Sequence, residues 1–481
     1  MSSPGGVPQA AAGGQPRPTL TVFDAVSMIV GIVIGVGIFK APSIVAGNVA
    51  SEAAFITLWI AGGVISLIGA LCYAELGSSH PNAGGEYYFL SRAYGDWLGF
   101  LFAWARMTVI QTGAIAAIAF VFGDYASTLL PLGGKSAAIY AALAVIAITA
   151  LNVAGTSQSK WVQNALTTAL VVTVLALVAS GFAATPAPAA PVAAAAAGGK
   201  AWFSGLALIF VLLTYGGWNE AAYLTAEMRD IRRNIVRALV IGIVVITSLY
   251  LLLNIAYVRA LGLAGMQASK AVASDLMRAT WGEGGAWVLG IVVVSAALST
   301  LNATVFTGAR TNYALGRDFV IFRALGRWSD QASAPVNALL VQGAISLALV
   351  GLASLTPDGF QTMVAYTAPA FWLFFLLTSI SLFLLRRQRN AQSGTGGAVN
   401  LQKDDDGVWT NYQEDHYRVP LYPITPLLFV AACAYMLYSS FNYAMSLDPG
   451  SIGAMVGIAM LASGVPVLMW ARRAGAAAGR N

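Results

Sequence analysis

Two glycine-containing segments lie inside apolar stretches that are long enough to cross a membrane. They read "GIVIGVGIFKAP" at 31–42 and "LLTYGGWNE" at 212–220. In hydrocarbon, a helix can unwind only where protein, an ion or a ligand satisfies the exposed N–H and C=O groups. Both segments are therefore predicted to be broken membrane helices that offer backbone groups to a ligand, although the Gly31/Gly35 spacing is also typical of close helix packing.

The exposed backbone groups would complement both charges of an α-amino acid. The half-helix that starts near Ile38 presents the amides of Val36, Gly37 and Ile38 together with its positive dipole end, which favours a carboxylate. Half-helices that end near Val33 and Leu213 present carbonyls, which favour an ammonium group. The pattern predicts a site for the head group of an α-amino acid.

The composition places these segments in a bilayer. Hydrophobic residues make up 58% of the 481 residues and charged residues 10%, against roughly a quarter charged in a soluble domain. Apolar stretches of about 20 residues, enough to cross the hydrocarbon as helix, recur about 12 times. The predicted fold class is an all-α polytopic membrane protein with 12 transmembrane helices, at 22–46, 53–77, 97–123, 137–154, 161–184, 203–227, 237–261, 286–314, 336–355, 361–385, 422–443 and 450–471.

The two breaks occupy corresponding places, in the first span of the first five and the first span of the next five. Because five is odd, the second set must be inverted relative to the first, and paired broken helices in such halves mark a midplane binding site. The predicted parts are a disordered cytoplasmic N-terminal tail (1–21), a first inverted repeat (22–184), an external Ala/Pro linker (185–202), a second repeat (203–385), a polar cytoplasmic loop (386–421), helices 11 and 12 (422–471) and a cytoplasmic C-terminal tail (472–481).

The basic residues follow this topology. Runs such as "RDIRRNIVR" (229–237) and "RRQR" (386–389) fall on the side of both termini, and the opposite loops hold few Lys and Arg. This asymmetry satisfies the positive-inside rule, predicts cytoplasmic termini at a plasma membrane, and explains the net charge of +6 without a nucleic-acid partner. With no phosphate-binding loop, nucleophile–base pair or metal-ligand cluster in the sequence, no enzyme activity, cofactor or metal is predicted.

Four stretches resemble the amino acid permeases of the amino acid, polyamine and organocation superfamily. The segment "GIVIGVGIFKAPSIVA" is similar to their first helix, and "YGGWNEAAYLTAEMRDIRRNIVRAL" to the sixth helix of the L-type amino acid transporter branch. The segments "AELGSSHPNAGGEYYFLSRAYG" (74–95) and "STLNATVFTGARTNYALGRD" (299–318) resemble that branch too. The resemblance implies a five-plus-five inverted fold with two extra helices, alternating access, and an amino acid bound between helices one and six.

The resemblance also implies roles for individual residues. Asn219 matches a helix-six asparagine near the substrate. The backbone amides that would hold the substrate carboxylate are those of Gly35, Val36 and Gly37. The carbonyls that would hold its amino group are those of Val33, Leu213 and Gly216.

Four departures from the family pattern bear on function. Val36 replaces the usual Ser and loses a hydroxyl donor worth roughly 1 kcal/mol. Leu213 replaces a gating aromatic residue, and Leu170 replaces a Lys that fills a cation position in many relatives. The loop at 124–136 lacks the Cys that ties animal L-type transporters to an accessory glycoprotein, so no disulfide-linked partner is expected.

Ionisable residues at membrane depth are functional candidates. Arg106 lies about ten residues into the third span, and Glu220 follows the second break. The two residues are expected to form an ion pair that orients helices. The alternative is that Glu220 carries a proton or contacts a cationic substrate.

Two further sets of side chains are candidates. Ser299 and Thr300 offer hydroxyls to a coupling cation, although such hydroxyls more often bond the carbonyl four residues earlier. Glu75, Glu227 and Arg310 are predicted to meet at the cytoplasmic ends of their helices as an inner gate of ion pairs, with weak exposed pairs as the alternative.

The sequence therefore predicts a secondary transporter of small amino acids in contact with membrane lipid, working by proton symport or exchange. Two alternatives stay open: a polyamine or cationic amino acid antiporter, favoured by Glu220, and an amino acid sensor that does not transport, with a partner docked on the loop 386–421. The oligomeric state is not predicted.

Overall fold

The computed structural model describes residues 21–80, 82, 85–155, 160–187, 204–220, 230–329, 332, 334–394, 402–403, 409–410 and 417–478. Residues 1–20, most of the predicted linker and Glu227 lie outside these ranges. The predictions made for those residues stay predictions.

Helices make up nearly all of the described chain. The α-helices are α1 Val22–Val33, α2 Ala41–Gly47, α3 Glu52–Ser79, α4 Gly85–Tyr94, α5 Asp96–Ala105, α6 Gln111–Leu129, α7 Ser136–Val153, α8 Lys160–Ala183, α9 Gly205–Thr214, α10 Ile231–Ala268, α11 Val272–Asp318, α12 Val336–Ala353, α13 Gly359–Gly394, α14 Ile424–Ala444 and α15 Ser451–Ala478. Short 3-10 helices cover Val36–Phe39 and Val320–Phe322, a π-helical turn covers Arg106–Ile110, and the two-residue strands β1 Gln402–Lys403 and β2 Trp409–Thr410 pair antiparallel.

The predicted all-α polytopic membrane fold is confirmed. Within the described residues, nine helices are long and apolar enough to cross a membrane, and the two parts of the first span, bent by 54°, form a broken tenth. The shorter apolar helices Thr168–Ala183, inside α8, and Gly205–Thr214 account for the other two predicted spans.

The two halves of the chain interdigitate, because α1 and α3 pack against α10, and α6 packs against α11. The helices α14 and α15 pack against α13. This arrangement surrounds the two broken spans with helices from both halves and holds their backbone groups away from lipid.

Several helix ends differ from the predictions, and two of these differences have a clear physical cause. The tenth span was predicted to end at 385, but α13 continues to Gly394, because the residues that follow are mostly good helix formers that can extend into water. The eighth span is the second part of α11, which changes direction at Gly282, where a positive φ of 68° interrupts the helix.

Some glycines allow helices to approach very closely. A Cβ atom added at Gly123 in α6 would lie 2.1 Å from the backbone carbonyl oxygen of Ala137 in α7. A backbone atom cannot rotate away as a side chain can, so only glycine fits there.

Gly123→Ala is predicted to destabilise the protein by about 1–3 kcal/mol, since the added methyl forces α6 and α7 apart. The measurement is the melting temperature of the detergent-solubilised protein. Gly351→Ala in α12 is the matched control, because a Cβ there meets no atom within 4 Å and should raise stability by about 0.5–1 kcal/mol through helix propensity. Equal melting temperatures for the two variants would contradict the close contact.

Candidate functional site

The first predicted break is present in the structure. The helix α1 ends at Val33 and α2 begins at Ala41, with the 3-10 helix Val36–Phe39 between them. Gly35 has extended backbone angles, and its N–H donates to the Val33 carbonyl at 2.6 Å. The N–H groups of the first residues of a helix have no partner inside that helix, so this break directs backbone donors to one point.

The second predicted break is also present. The helix α9 ends at Thr214, a turn covers 216–217, and 3-10 geometry follows at 218–220. Gly217 has a φ of +109°, which favours glycine, and a Cβ at Gly216 would lie 2.9 Å from the Leu213 carbonyl oxygen. The adjacent glycines therefore make this turn possible.

The two breaks face each other. A Cβ built on Gly37 would lie 3.8 Å from the Thr214 hydroxyl oxygen, an ordinary contact distance. A Cβ atom at position 37 would therefore not clash with the backbone. The effect of the glycine is to keep space open between the two broken spans.

A tyrosine that the sequence analysis did not single out links the two breaks. The Tyr250 hydroxyl, on α10, donates to the Val33 carbonyl at 2.8 Å and lies 3.4 Å from the Thr214 carbonyl. Tyr250 is fully buried, and a buried tyrosine hydroxyl usually has a partner. A Tyr inside the apolar run "TSLYLLLN" was the available signal, but its partner could not be identified from sequence.

This contact changes the expected role of Val33. A carbonyl oxygen has two lone pairs, and that of Val33 already accepts the Gly35 N–H and the Tyr250 hydroxyl. The Leu213 carbonyl likewise accepts the Gly216 N–H at 3.1 Å. The structure therefore does not present the Val33 carbonyl to an ammonium group, nor the Gly35 amide to a carboxylate.

The amides of Val36, Gly37 and Ile38 belong to the first turn of the 3-10 helix. The other end of this helix is fixed by Tyr125, whose hydroxyl donates to the Phe39 carbonyl at 2.7 Å. In a 3-10 helix each N–H donates to the carbonyl three residues earlier, so the Ile38 N–H is already paired with the Gly35 carbonyl. The described donors that match the predicted carboxylate site are thus the amides of Val36 and Gly37, on a helix that is held by a buried hydrogen bond from α6.

Aromatic rings keep Tyr250 in place. The rings of Trp59, Tyr215 and Tyr250 lie 5.2 to 6.1 Å apart in pairs, and all three are fully buried. The Tyr215 hydroxyl donates to the Trp59 carbonyl at 3.1 Å. This cluster ties the residue after α9 to α3 and α10.

A polar cavity lies beside the second break. Its volume is about 50 Å³, which is room for a few water molecules. Phenylalanines and Ile110 form its apolar wall, and its polar lining residues are Glu86, Arg106, Gln111, Asn219 and Glu220. The predicted substrate neighbour Asn219 therefore belongs to this cavity.

The structure brings together Arg106 and Glu220, whose Nη2 and Oε1 atoms lie 3.6 Å apart. Arg106 opens the π-helical turn, and such turns often mark functional sites. The Tyr366 hydroxyl donates to the Thr108 carbonyl of the same turn at 2.7 Å. The sequence gives no signal for this turn, because a π-helical turn has no residue signature.

The buried carboxyl of Glu86 was not singled out by the sequence analysis. Glu86 is 6% exposed, and one of its oxygens accepts the Tyr73 hydroxyl at 2.6 Å. It lies on the short helix α4, in the "AGGEYY" stretch between two spans. A Glu between two spans is expected at the surface, so the sequence did not predict that Glu86 lines the cavity.

The predicted inner gate is arranged differently. Glu75 is fully buried, pairs with Arg386 through both carboxylate oxygens, and accepts the Val419 N–H at 2.7 Å. The Arg310 guanidinium instead lies 3.2 Å from the centre of the Phe306 ring. The structure does not bring Arg310 to Glu75, because the unpredicted extension of α13 supplies Arg386.

The hydroxyl candidates on α11 have local contacts. Thr300 donates to the Ala296 carbonyl at 3.0 Å, the contact four residues back that was the alternative reading. Ser299 is 4% exposed, and Leu170, at the position of the missing Lys, is 6% exposed. Within the described residues of the two broken spans, no side chain donates to or accepts from the Thr300 hydroxyl.

A buried lysine joins three helices at the far side of the first break. Lys40 is 1% exposed, and its Nζ lies 2.8 Å from an Asp124 carboxylate oxygen and 2.9 Å from one of Asp358. It also donates to the Lys270 carbonyl at 3.3 Å. The sequence analysis did not single out Lys40, since a Lys near the end of a span usually reaches water.

Lys40→Met is predicted to lower stability by about 3–5 kcal/mol, because it leaves two partly buried carboxylates without their buried cation. The measurement is the melting temperature in detergent. Combining Lys40→Met with Asp124→Asn and Asp358→Asn should recover most of the loss, and Lys135→Met, at an exposed loop residue, should change nothing. A triple variant as unstable as Lys40→Met alone would show that charge is not the cause.

Comparisons with known proteins agree with the fold. The family model described as amino acid permease matches residues 20–463. The human b(0,+)-type amino acid transporter 1 is 31% identical over 381 residues, covering 77% of this chain and 76% of the relative. The rabbit (Oryctolagus cuniculus) large neutral amino acids transporter small subunit 2 is 27% identical over 489 aligned positions, covering 96% of this chain and 82% of the relative.

The matched region includes both broken spans and the cavity between α4 and the second break. Relatives of this kind are transporters and not enzymes. The resemblance that the sequence motifs indicated is confirmed, and the chain belongs to the amino acid permease family of the amino acid, polyamine and organocation superfamily.

Proposed function

We propose that this protein is a secondary transporter that moves small α-amino acids across the plasma membrane by alternating access, with both termini in the cytoplasm. The observation that carries the proposal is the pair of facing breaks, with the amides of Val36, Gly37 and Ile38 at the start of a 3-10 helix. The N–H groups of Val36 and Gly37 have no partner inside the helix, and two such donors with a helix dipole at one point suit a carboxylate. Family membership supports amino acid transport as the general activity.

The carboxylate and the amino group of the substrate would be bound by different sets of backbone groups. The amides of Val36 and Gly37 would hold the carboxylate, while the carbonyls of Leu213 and Gly216 would lie near the amino group. The Val33 carbonyl would join them only where the Tyr250 hydroxyl moves away, since that hydroxyl now donates to it. Asn219 and the cavity beside it would receive the side chain, and its small volume favours small substrates.

Cationic amino acids are the second candidate substrates. The observation that favours them is the presence of two carboxylates, Glu86 and Glu220, in the cavity next to the second break. Transport assays that include arginine, lysine and putrescine beside neutral amino acids separate the two candidates.

We also propose that the chain works without a disulfide-linked accessory subunit. The segment 124–136 contains no Cys, and Cys72 and Cys433 are both buried. The rabbit relative is by name a small subunit, so purified chain alone in proteoliposomes is the direct test. Amino acid uptake only after an added partner would contradict this part of the proposal.

Gly37→Leu is predicted to abolish saturable amino acid uptake into proteoliposomes, because the side chain fills the space between the two breaks. Gly47→Leu in α2 is the matched control, since a Cβ there meets nothing within 4 Å, and it should transport normally. Radiolabelled neutral and cationic amino acids are supplied outside, with unlabelled amino acid inside to reveal exchange. Full uptake by Gly37→Leu would place the substrate elsewhere.

Tyr250→Phe is predicted to raise the KM for the amino acid about 2–10-fold, because the two half-helix ends lose one hydrogen bond worth about 0.5–1.5 kcal/mol. Tyr257→Phe on the same helix is the control, since the Tyr257 hydroxyl makes no hydrogen bond to the described residues. The same KM for both variants would show that the Tyr250 hydroxyl does not shape the site.

A further inference from the structure

The charged groups that line the described part of the cavity are two carboxylates and one guanidinium. They belong to Glu86, Glu220 and Arg106. With both carboxylates ionised, the cluster carries one negative charge, and one added positive charge would make it neutral. A buried cluster with net charge is costly, so the cavity suits one exchangeable positive charge.

The two carboxylates have different surroundings. Glu220 has a side chain that is 37% exposed and lies 3.6 Å from Arg106, so water and a cation are both within its reach. Glu86 is 6% exposed, and the Tyr73 hydroxyl already donates to it. Of the two carboxylates, Glu86 is therefore the better candidate to bind a proton.

The groups that face Glu86 come from every element around it. Tyr73 comes from α3, Arg106 from the π-helical turn, and Asn219 and Glu220 from the turn after α9. The neighbouring α5 and α13 contribute only phenylalanine rings to the cavity wall, namely Phe102, Phe371, Phe374 and Phe375. The residues 221–229 lie outside the described chain.

Glu86 lies in α4, outside the membrane-spanning helices. Burial raises the pKa of its carboxyl to about 7, the hydrogen bond from Tyr73 and the charge of Arg106 oppose this rise, and the charge of Glu220 adds to it. A carboxyl of this kind changes its charge within the physiological pH range.

We propose that Glu86 is the residue that takes up and releases the proton that accompanies the amino acid, an inference that rests on the proposed transport function. A hydronium ion that reaches the cavity through water gives its proton to a Glu86 carboxylate oxygen: one O–H bond of the hydronium ion breaks, an O–H bond to the carboxylate forms, and a neutral water molecule is left. The proton returns to water on the other side after the conformational change. No bond of the amino acid is made or broken.

The geometry favours a proton over a cationic substrate side chain at this position. The cavity of about 50 Å³ admits water, which needs only about 10–15 Å³, but a lysine or arginine side chain would have to displace the phenylalanine wall. A proton bound to Glu86 also leaves the hydrogen bond from the Tyr73 hydroxyl intact.

The first experiment follows the lumenal pH of proteoliposomes with a trapped fluorescent dye when unlabelled amino acid is added outside. The wild-type protein should acidify the lumen together with uptake. Glu86→Gln should lose the acidification and the response of uptake to an imposed pH gradient, while keeping measurable counterflow exchange. Glu52→Gln, at an exposed carboxylate that starts α3, is the control and should behave as wild type.

The second experiment measures the pH midpoint of uptake and remains informative where Glu86→Gln fails to fold. Glu220→Gln removes a like charge and should shift the midpoint to lower pH. Arg106→Gln removes the cation and should shift it to higher pH, each by about one pH unit. A merely structural role for these residues would move the rate or the melting temperature but not the midpoint in opposite directions.

The outcomes separate this inference from the proposed function. An absence of counterflow for every amino acid tested would overturn the transport proposal itself. Counterflow without lumenal acidification in the wild type, or acidification that persists in Glu86→Gln, would overturn only the assignment to Glu86. Loss of lysine and arginine exchange alone in Glu86→Gln would assign the positive charge to the substrate and overturn the proton.

Discussion

The need to satisfy every backbone hydrogen-bonding group within the membrane governs this structure. Each irregular segment exposes carbonyls that lipid cannot satisfy. Three buried tyrosines meet this need: Tyr250 donates to Val33 at the first break, Tyr125 to Phe39 at the end of the 3-10 helix, and Tyr366 to Thr108 in the π-helical turn. Each comes from a different helix, so the breaks persist only where the whole bundle holds them.

Three clusters of charged side chains in the described part of the chain depend on the same packing. Lys40 and its two aspartates lie beyond the first break, and Glu75 with Arg386 lies at the opposite end of α3 from its start at Glu52. The Arg106 cluster lies beside the second break. Each cluster joins helices that are far apart in sequence, and burial makes each one sensitive to the loss of a single charge.

Hydropathy predicted the membrane spans, and the glycines at 35, 37, 216 and 217 predicted both breaks, because these signals are local. The contacts across helices were not predictable in the same way. Whether Glu75 meets Arg310 or Arg386 depends on helix rotation and on where α13 ends, and neither follows from one sequence. Lys40 and Glu86 were missed because residues at span ends are normally solvated, whereas here neighbouring helices cover them.

The carbonyls at the ends of the half-helices already accept hydrogen bonds from the protein, whereas the amides at the start of the 3-10 helix do not donate within it. This difference bears on the class of substrate. The carbonyls of Val33 and Leu213 are engaged by Tyr250 and Gly216, while the amides of the 3-10 helix begin a helix and point to the same space. A ligand with a carboxylate gains from those amides, but a ligand with amino groups alone must first displace protein hydrogen bonds. The backbone therefore favours an amino acid over a polyamine, and Glu86 and Glu220 would have to compensate for this preference before a polyamine could bind.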